Sequence, residues 1–160
     1  MATLSRLPVL WCLGIATLVL HAAIHWAKRF TGGQLLDLRW TADGARSLLA
    51  GMATIPGAVD AHIWITGALD TAYPMAYGGL VAGLCVRYST VRPAVAAAPA
   101  ILAAACDLAE NAIQLLALHG HADLLPAKTL LTPAKFALIT AASAWAIGLW
   151  VTAMVRPAAR

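Results

Sequence analysis

The sequence predicts an all-α fold: an integral-membrane, antiparallel four-helix bundle with an interfacial helix in its first loop. Three observations predict it. Of 160 residues, 61% are hydrophobic and 11% charged, whereas roughly a quarter of residues are charged in an ordinary soluble domain. Four stretches, at 8–26, 61–86, 94–118 and 135–155, reach the length of about 20 mainly apolar residues that crosses about 30 Å of hydrocarbon. Inside those stretches the polar residues recur at helical spacing. The whole chain, 1–160, reads as a single four-span domain.

The first span follows Arg6. Ala22 and Ala23 after the apolar run also suit a cleaved signal peptide. The run continues past Ile24 to Trp26, however, and meets Lys28 and Arg29, the pattern of a stop-transfer flank with an aromatic anchor. The first loop, 27–60, has its own organisation. A Gly32-Gly33 turn leads into Leu35 and the run to Trp40, and a helix follows Thr41. Thr41 can cap that helix, Asp43 suits its first turn, and Leu48, Leu49 and Met52 form an apolar side. It should lie on the membrane surface or cover the bundle. Pro56 and Gly57 break the chain before the second span. The loop between spans two and three is only about seven residues, and the loop at 120–133 returns on the same side as the first.

A net charge of +4 is spread over loops and tails, without the dense basic run that nucleic-acid binding requires. Contact with anionic lipid headgroups accounts for it. Cys12, Cys85 and Cys106 fall within the expected spans without CxxC spacing, which indicates core residues rather than a disulfide framework or a thiolate zinc site. Four spans place both termini on one side, with Arg6, Arg87, Arg92, Arg156 and Arg160. Lys28, Arg29, Arg39, Arg46, Lys128 and Lys135 fall on the other. The terminal side concentrates its charge in very short segments without acidic residues, which favours cytoplasmic termini.

Thr66, Asp70, Tyr73 and Tyr77 follow i, i+4, i+7 and i+11 in the second span, one face of a helix. Asp107, Glu110, Asn111 and Gln114 follow i, i+3, i+4 and i+7 in the third. Thr17, His21 and His25 recur every fourth residue in the first, and Lys135 opens the fourth. At about 1.5 Å per residue, Asp70 and Glu110 both lie roughly 12–13 Å in from the loop-bearing surface. The two carboxyls are therefore level, and a polar pocket in the loop-side half of the bundle is expected.

Ionisable groups in hydrocarbon are costly, by roughly 2.5–3.5 kcal/mol each, and usually face a partner, a water-filled cavity or a substrate path. Asp70, Asp107 and Glu110 against Lys135 leave an excess of negative charge, which a proton or cationic ligand would offset. Acid–base conversion of a lipophilic substrate fits this set: isomerisation, cyclisation, epoxide opening or dehydration of a lipid or isoprenoid. Asp70, Tyr73, Asp107 and Glu110 are the expected catalytic residues, with Glu110 donating a proton and Asp70 or Asp107 accepting one. Tyr77, Asn111, Gln114, Lys135 and His25 are expected to bind substrate. Two other readings stay open: an accessory or assembly subunit of a larger membrane complex, in which the polar set fixes helix register, and proton or ion transport. Membrane lipid, a lipophilic small molecule, and a membrane-protein partner or second copy are the expected partners. The His21/His25 pair has a zinc-chelating spacing, and His62, His119 and His121 map to the same side, yet the HExxH glutamate is absent, so no metal or cofactor is assigned.

With these residues in view, the chain resembles a family of small bacterial membrane proteins with four spans, known only as uncharacterised. The resemblance covers residues 35–142 and rests on four features. These are Leu-Asp-Leu-Arg at 36–39 before the Thr41 helix, Asp-Thr-Ala-Tyr-Pro-Met-Ala-Tyr at 70–77, Asp-Leu-Ala-Glu-Asn at 107–111, and Lys135-Phe136. It implies a shared polar set of Asp37, Arg39, Asp70, Tyr73, Pro74, Tyr77, Asp107, Glu110, Asn111 and Lys135, and a bacterial inner membrane as location. No assigned reaction comes with it, and the first-span histidines lie outside the pattern. Pro74 should free the carbonyl of Asp70, four residues earlier, and kink the second span at the pocket.

Overall fold

The computed structural model describes residues 3–121 and 123–155; Arg156 and Arg160, counted above for orientation, lie outside them. Six α-helices follow in order: α1 Leu7–Ala27, α2 Ala42–Met52, α3 Ala58–Trp64, α4 Thr71–Tyr88, α5 Pro93–Leu118 and α6 Leu125–Val155. A π-helical segment, Ile65–Asp70, joins α3 to α4 into one continuous rod. There is no sheet among the described residues.

Proline opens α1 and α5 within their first turn, where its missing N–H has no partner to lose. After α1 the chain makes a short 3-10 turn, Lys28–Thr31, and reverses at Gly32 and Gly33, whose φ angles of 73° and 80° favour glycine. A strap then crosses the loop-side end of the bundle, with Leu36 fully buried. Thr41 caps α2 as expected, its hydroxyl accepting from the Gly44 amide at 3.1 Å. Met52, Leu48 and Leu49 of α2 pack with Leu118 and Leu125, so this helix closes the loop-side end of α5 and α6.

α4 packs against α1, α5 and α6, and α5 packs against α6. The contact is close because small residues line it: a Cβ at Gly78 would meet the Ala104 Cβ at 2.8 Å, and one at Gly83 would meet Leu4 and Leu10 at 2.6 Å. Ala96, Ala97, Ala100, Ala142 and Ala146 surround Val81 and Cys85 in an apolar core in the half nearer the termini.

One expectation holds in part and another needs correction. Among the described residues, only α1 with the turn after it, α5 and α6 are long and apolar enough to cross a membrane. The rod from Ala58 to Tyr88 carries Thr66, Asp70, Tyr73, Pro74, Tyr77 and Arg87, which dilute its hydropathy, and it is held by burial against its neighbours. The fourth long helix also begins at Leu125, ten residues before the expected start at Lys135. Pro126 falls in its first turn, where proline is tolerated, and Pro133 is accommodated inside it. The long loop expected at 120–133 is therefore mostly helix.

Candidate functional site

Pro74 explains how the site starts. Proline offers no N–H to the carbonyl of Asp70, and the Asn111 side-chain amide donates to that carbonyl instead, at 2.8 Å. The π-helical segment before it is supported by Thr71, whose hydroxyl donates to the Thr66 carbonyl at 2.8 Å. The Asn111 bond docks α4 on α5 with Asp70 beside Asn111, one residue from Glu110, which is the level that the depth argument expects.

Extension of α6 brings Lys128, Thr132 and Lys135 to one face at i, i+4 and i+7. Lys128 donates to Glu110 Oε1 and, at 3.2 Å, to the Thr132 hydroxyl, which itself donates to Glu110 Oε1 at 2.6 Å. Lys128, Thr132 and Glu110 are all fully buried. Lys135 Nζ donates to Asp107 Oδ1 at 2.7 Å and lies 2.7 Å from Glu110 Oε2 and 3.5 Å from Asp37 Oδ1. On the other side of Asp107, Tyr77 donates its phenolic hydrogen to Oδ2 at 2.9 Å.

Carboxylate oxygens of Asp37, Asp107 and Glu110 lie within 4.8 Å of one another, close enough to share a metal ion. Lys135 supplies a cation to all three, since its ammonium contacts each of these residues. Four carboxyl groups, counting Asp70, face two ammonium groups. The excess of negative charge inferred from the sequence therefore persists with the enlarged set. Two buried acceptors, Asn111 Oδ1 and Gln114 Oε1, have no hydrogen-bond donor among the described residues.

The first-loop strap delivers Asp37. Gln114 donates to Asp37 Oδ1 at 2.6 Å. The Leu36 amide donates to His62 Nε2 at 3.0 Å, which makes that nitrogen the acceptor and places the ring hydrogen on Nδ1, 3.0 Å from the Thr66 hydroxyl. Buried His62 and Thr66 thus latch the strap over the cluster. Burial pushes the Asp37 carboxyl up, but hydrogen bonding to Asp70 and Gln114 and the charges of Lys135 and Lys128 outweigh it, bringing Asp37 down to about 2.

A carboxyl depressed in the folded state adds stability above its unfolded value of 3.8 and loses it as pH falls through about 2. Strap docking should weaken across that window by on the order of 2 kcal/mol. The Leu36 amide is the reporter: its hydrogen-exchange protection should fall between pH 4 and pH 2 in wild type and lose this dependence in Asp37→Asn. Protection unchanged down to pH 2 would show that Asp37 ionisation does not hold the strap.

Of the residues expected from sequence, Asp70, Tyr77, Asp107, Glu110, Asn111, Gln114 and Lys135 are buried together. Tyr73 is half-buried at their edge, 5.2 Å from Tyr77 between ring centroids. His25 lies outside the cluster, exposed and stacked on exposed His21 at 5.1 Å; His21 in turn is 6.0 Å from Tyr73. The histidines do not converge, because His62 is used in the latch and His119 and His121 stack on each other in an exposed turn. Lys128, Thr132 and His62 were not expected in the cluster. The i, i+4, i+7 spacing of Lys128, Thr132 and Lys135 is the signal that identifies two of them; Asp37 is carried only by the resemblance.

Comparison with protein-family models, with curated proteins and with solved structures finds no match for this chain.

Proposed function

We propose that this chain is a four-span protein of the bacterial inner membrane. In this reading it binds a small lipophilic molecule, such as a lipid or isoprenoid, and converts it by acid–base chemistry in the buried cluster. The arrangement around Asp107 supports this most directly: a phenol at 2.9 Å on one oxygen and an ammonium at 2.7 Å on the other. Lys135 orients the carboxylate and stabilises its charge, while Tyr77 stands between it and half-buried Tyr73. A proton can then pass between substrate and Asp107 through the Tyr77 hydroxyl, with Asp70 as the second carboxyl for a proton taken or returned at another substrate atom. Glu110 accepts from Thr132 and Lys128 and faces Lys135, so we assign it to holding the ammoniums rather than to donating a proton.

The rod from Ala58 to Tyr88 is the fourth span in this reading, its polar face covered by α5 and α6. Lys128 and Lys135 are buried in the cluster, which removes them from the loop-side charge and leaves Lys28, Arg29, Arg39 and Arg46 there. The five arginines of the terminal side then exceed them, which supports cytoplasmic termini. A second reading, a structural subunit of a larger membrane complex, is favoured by the complete burial and mutual pairing of Lys128, Thr132 and Glu110.

Native mass spectrometry of the detergent-purified protein separates the two. A stoichiometric small molecule should accompany wild type and be lost at least tenfold from Asp70→Asn and Tyr77→Phe while both stay folded. Wild type without a bound molecule, together with reproducible co-purifying subunits, would support the structural reading instead.

A further inference from the structure

Asn111 and Gln114 each leave a side-chain oxygen unpaired, although the two residues are only 1% and 0% exposed. Gln114 holds the Asp37 carboxylate at 2.6 Å and Asn111 holds the Asp70 main-chain carbonyl at 2.8 Å. Only an amide nitrogen can donate to those acceptors, so the oxygen is the atom left over in both side chains. Each unpaired oxygen is therefore fixed beside the aspartate that its own nitrogen grips. Oxygen and nitrogen of one amide are about 2.2 Å apart, which keeps Gln114 Oε1 within about 5 Å of Asp37 Oδ1. Asn111 and Gln114 share a face of α5 at i, i+3, and the Asp37 and Asp70 side chains are hydrogen-bonded to each other. Two carboxyl groups and two amide oxygens thus meet in one buried place between the strap, the rod and α5.

The two buried ammoniums stand elsewhere. Lys135 lies 2.7 Å from Asp107 and from Glu110 and reaches Asp37 only at 3.5 Å, while Lys128 bonds Glu110 and Thr132. A buried acceptor without a donor is costly, and a buried negative charge without a partner is costlier. Water would satisfy the two oxygens and leave the charge. Four carboxyls against two ammoniums leave two negative charges, which one divalent cation cancels while bonding the same oxygens. A donor set made only of oxygen suits a hard ion of the Mg²⁺, Ca²⁺ or Mn²⁺ kind.

We infer that Asp37, Asp70, Asn111 Oδ1 and Gln114 Oε1 bind one hard divalent cation. The proton that the bond between the two carboxyls requires leaves as the ion enters. This site goes beyond the proposed chemistry and does not depend on a lipophilic ligand. Asp37 arrives on the strap and Asp70 on the rod, so the ion ties the strap down beside the His62 latch. It also withdraws Asp70 from proton transfer and leaves the Tyr77–Asp107 pair as it is.

The probe is Mn²⁺, titrated near neutral pH into the full-length, detergent-purified protein after chelator treatment. One Mn²⁺ per chain is expected by electron paramagnetic resonance and native mass spectrometry, displaced by excess Ca²⁺ or Mg²⁺, with slower hydrogen exchange at the Leu36 amide. Asp70→Asn keeps a side chain that donates to Asp37 but removes a charged ligand, and should weaken Mn²⁺ binding by about tenfold or more. Gln114→Met, which removes an unpaired oxygen, should weaken it as well; Asp43→Asn, on the exposed face of α2, should not. If Gln114→Met fails to fold, Asp70→Asn decides. Wild type that takes up no Mn²⁺ would mean that water satisfies the two oxygens, and overturn the inference. Binding that survives Asp70→Asn, or that leaves exchange at Leu36 unchanged, would place the ion elsewhere and overturn it too.

Discussion

Lys135→Met is expected to destabilise the protein by about 3–5 kcal/mol, the usual effect of breaking a buried ion pair. The reason is geometric. Carboxylate oxygens of Asp37, Asp107 and Glu110 lie within 4.8 Å of one another, and Lys135 is the cation that contacts all three. Lys128 is no substitute, because its bonds go to Glu110 Oε1 and Thr132. Reversible unfolding in mixed SDS and mild detergent measures the loss, and Lys135→Met with Asp107→Asn should recover part of it by removing one of the stranded charges. A loss below about 1 kcal/mol for the single variant would show that the three carboxyls do not depend on this ammonium.

The second large effect concerns the other lysine and separates scaffold from chemistry. Lys128→Met should also cost about 3–5 kcal/mol, since it strands part of a fully buried carboxylate. Combining it with Glu110→Leu should restore most of that stability, because replacing a whole buried pair by apolar side chains is often neutral or stabilising. Lys135 would retain Asp107 and Asp37 as partners. The folded double variant should therefore keep any molecule that binds at Tyr77 and Asp107. A stable double variant that loses the molecule would place Glu110 in the ligand site and contradict its assignment as an anchor.

Much of the site was legible from spacing. Thr66, Asp70, Tyr73 and Tyr77 on one stripe, and Asp107, Glu110, Asn111 and Gln114 on another, could meet only if their helices packed face to face, and the Asn111 bond to the Asp70 carbonyl is that meeting. Pro74 foretold the free carbonyl because its missing donor is a covalent fact. Lys128 and Thr132 were hidden by Pro126 and Pro133, which locally read as loop; packing of α6 against α5 and α2 keeps the helix intact through them. His62 looked like one more histidine on the loop side, and only the strap folding back to place the Leu36 amide on it made it a latch.

The sequence by itself determined the all-α class, the main apolar stretches and the polar stripes at 66–77 and 107–114, because hydropathy and the 3.6-residue period are local properties of the chain. It also determined that negative charge exceeds positive charge inside the bundle. Tertiary structure alone decided how the charges pair. It set Lys135 against three carboxylates and Lys128 against Glu110, because their chain separations bear no relation to their distances in the folded bundle. It also decided that the rod from Ala58 to Tyr88, too polar to qualify as a span on hydropathy, is covered by its neighbours, since whether a polar face meets lipid or protein depends on what packs against it.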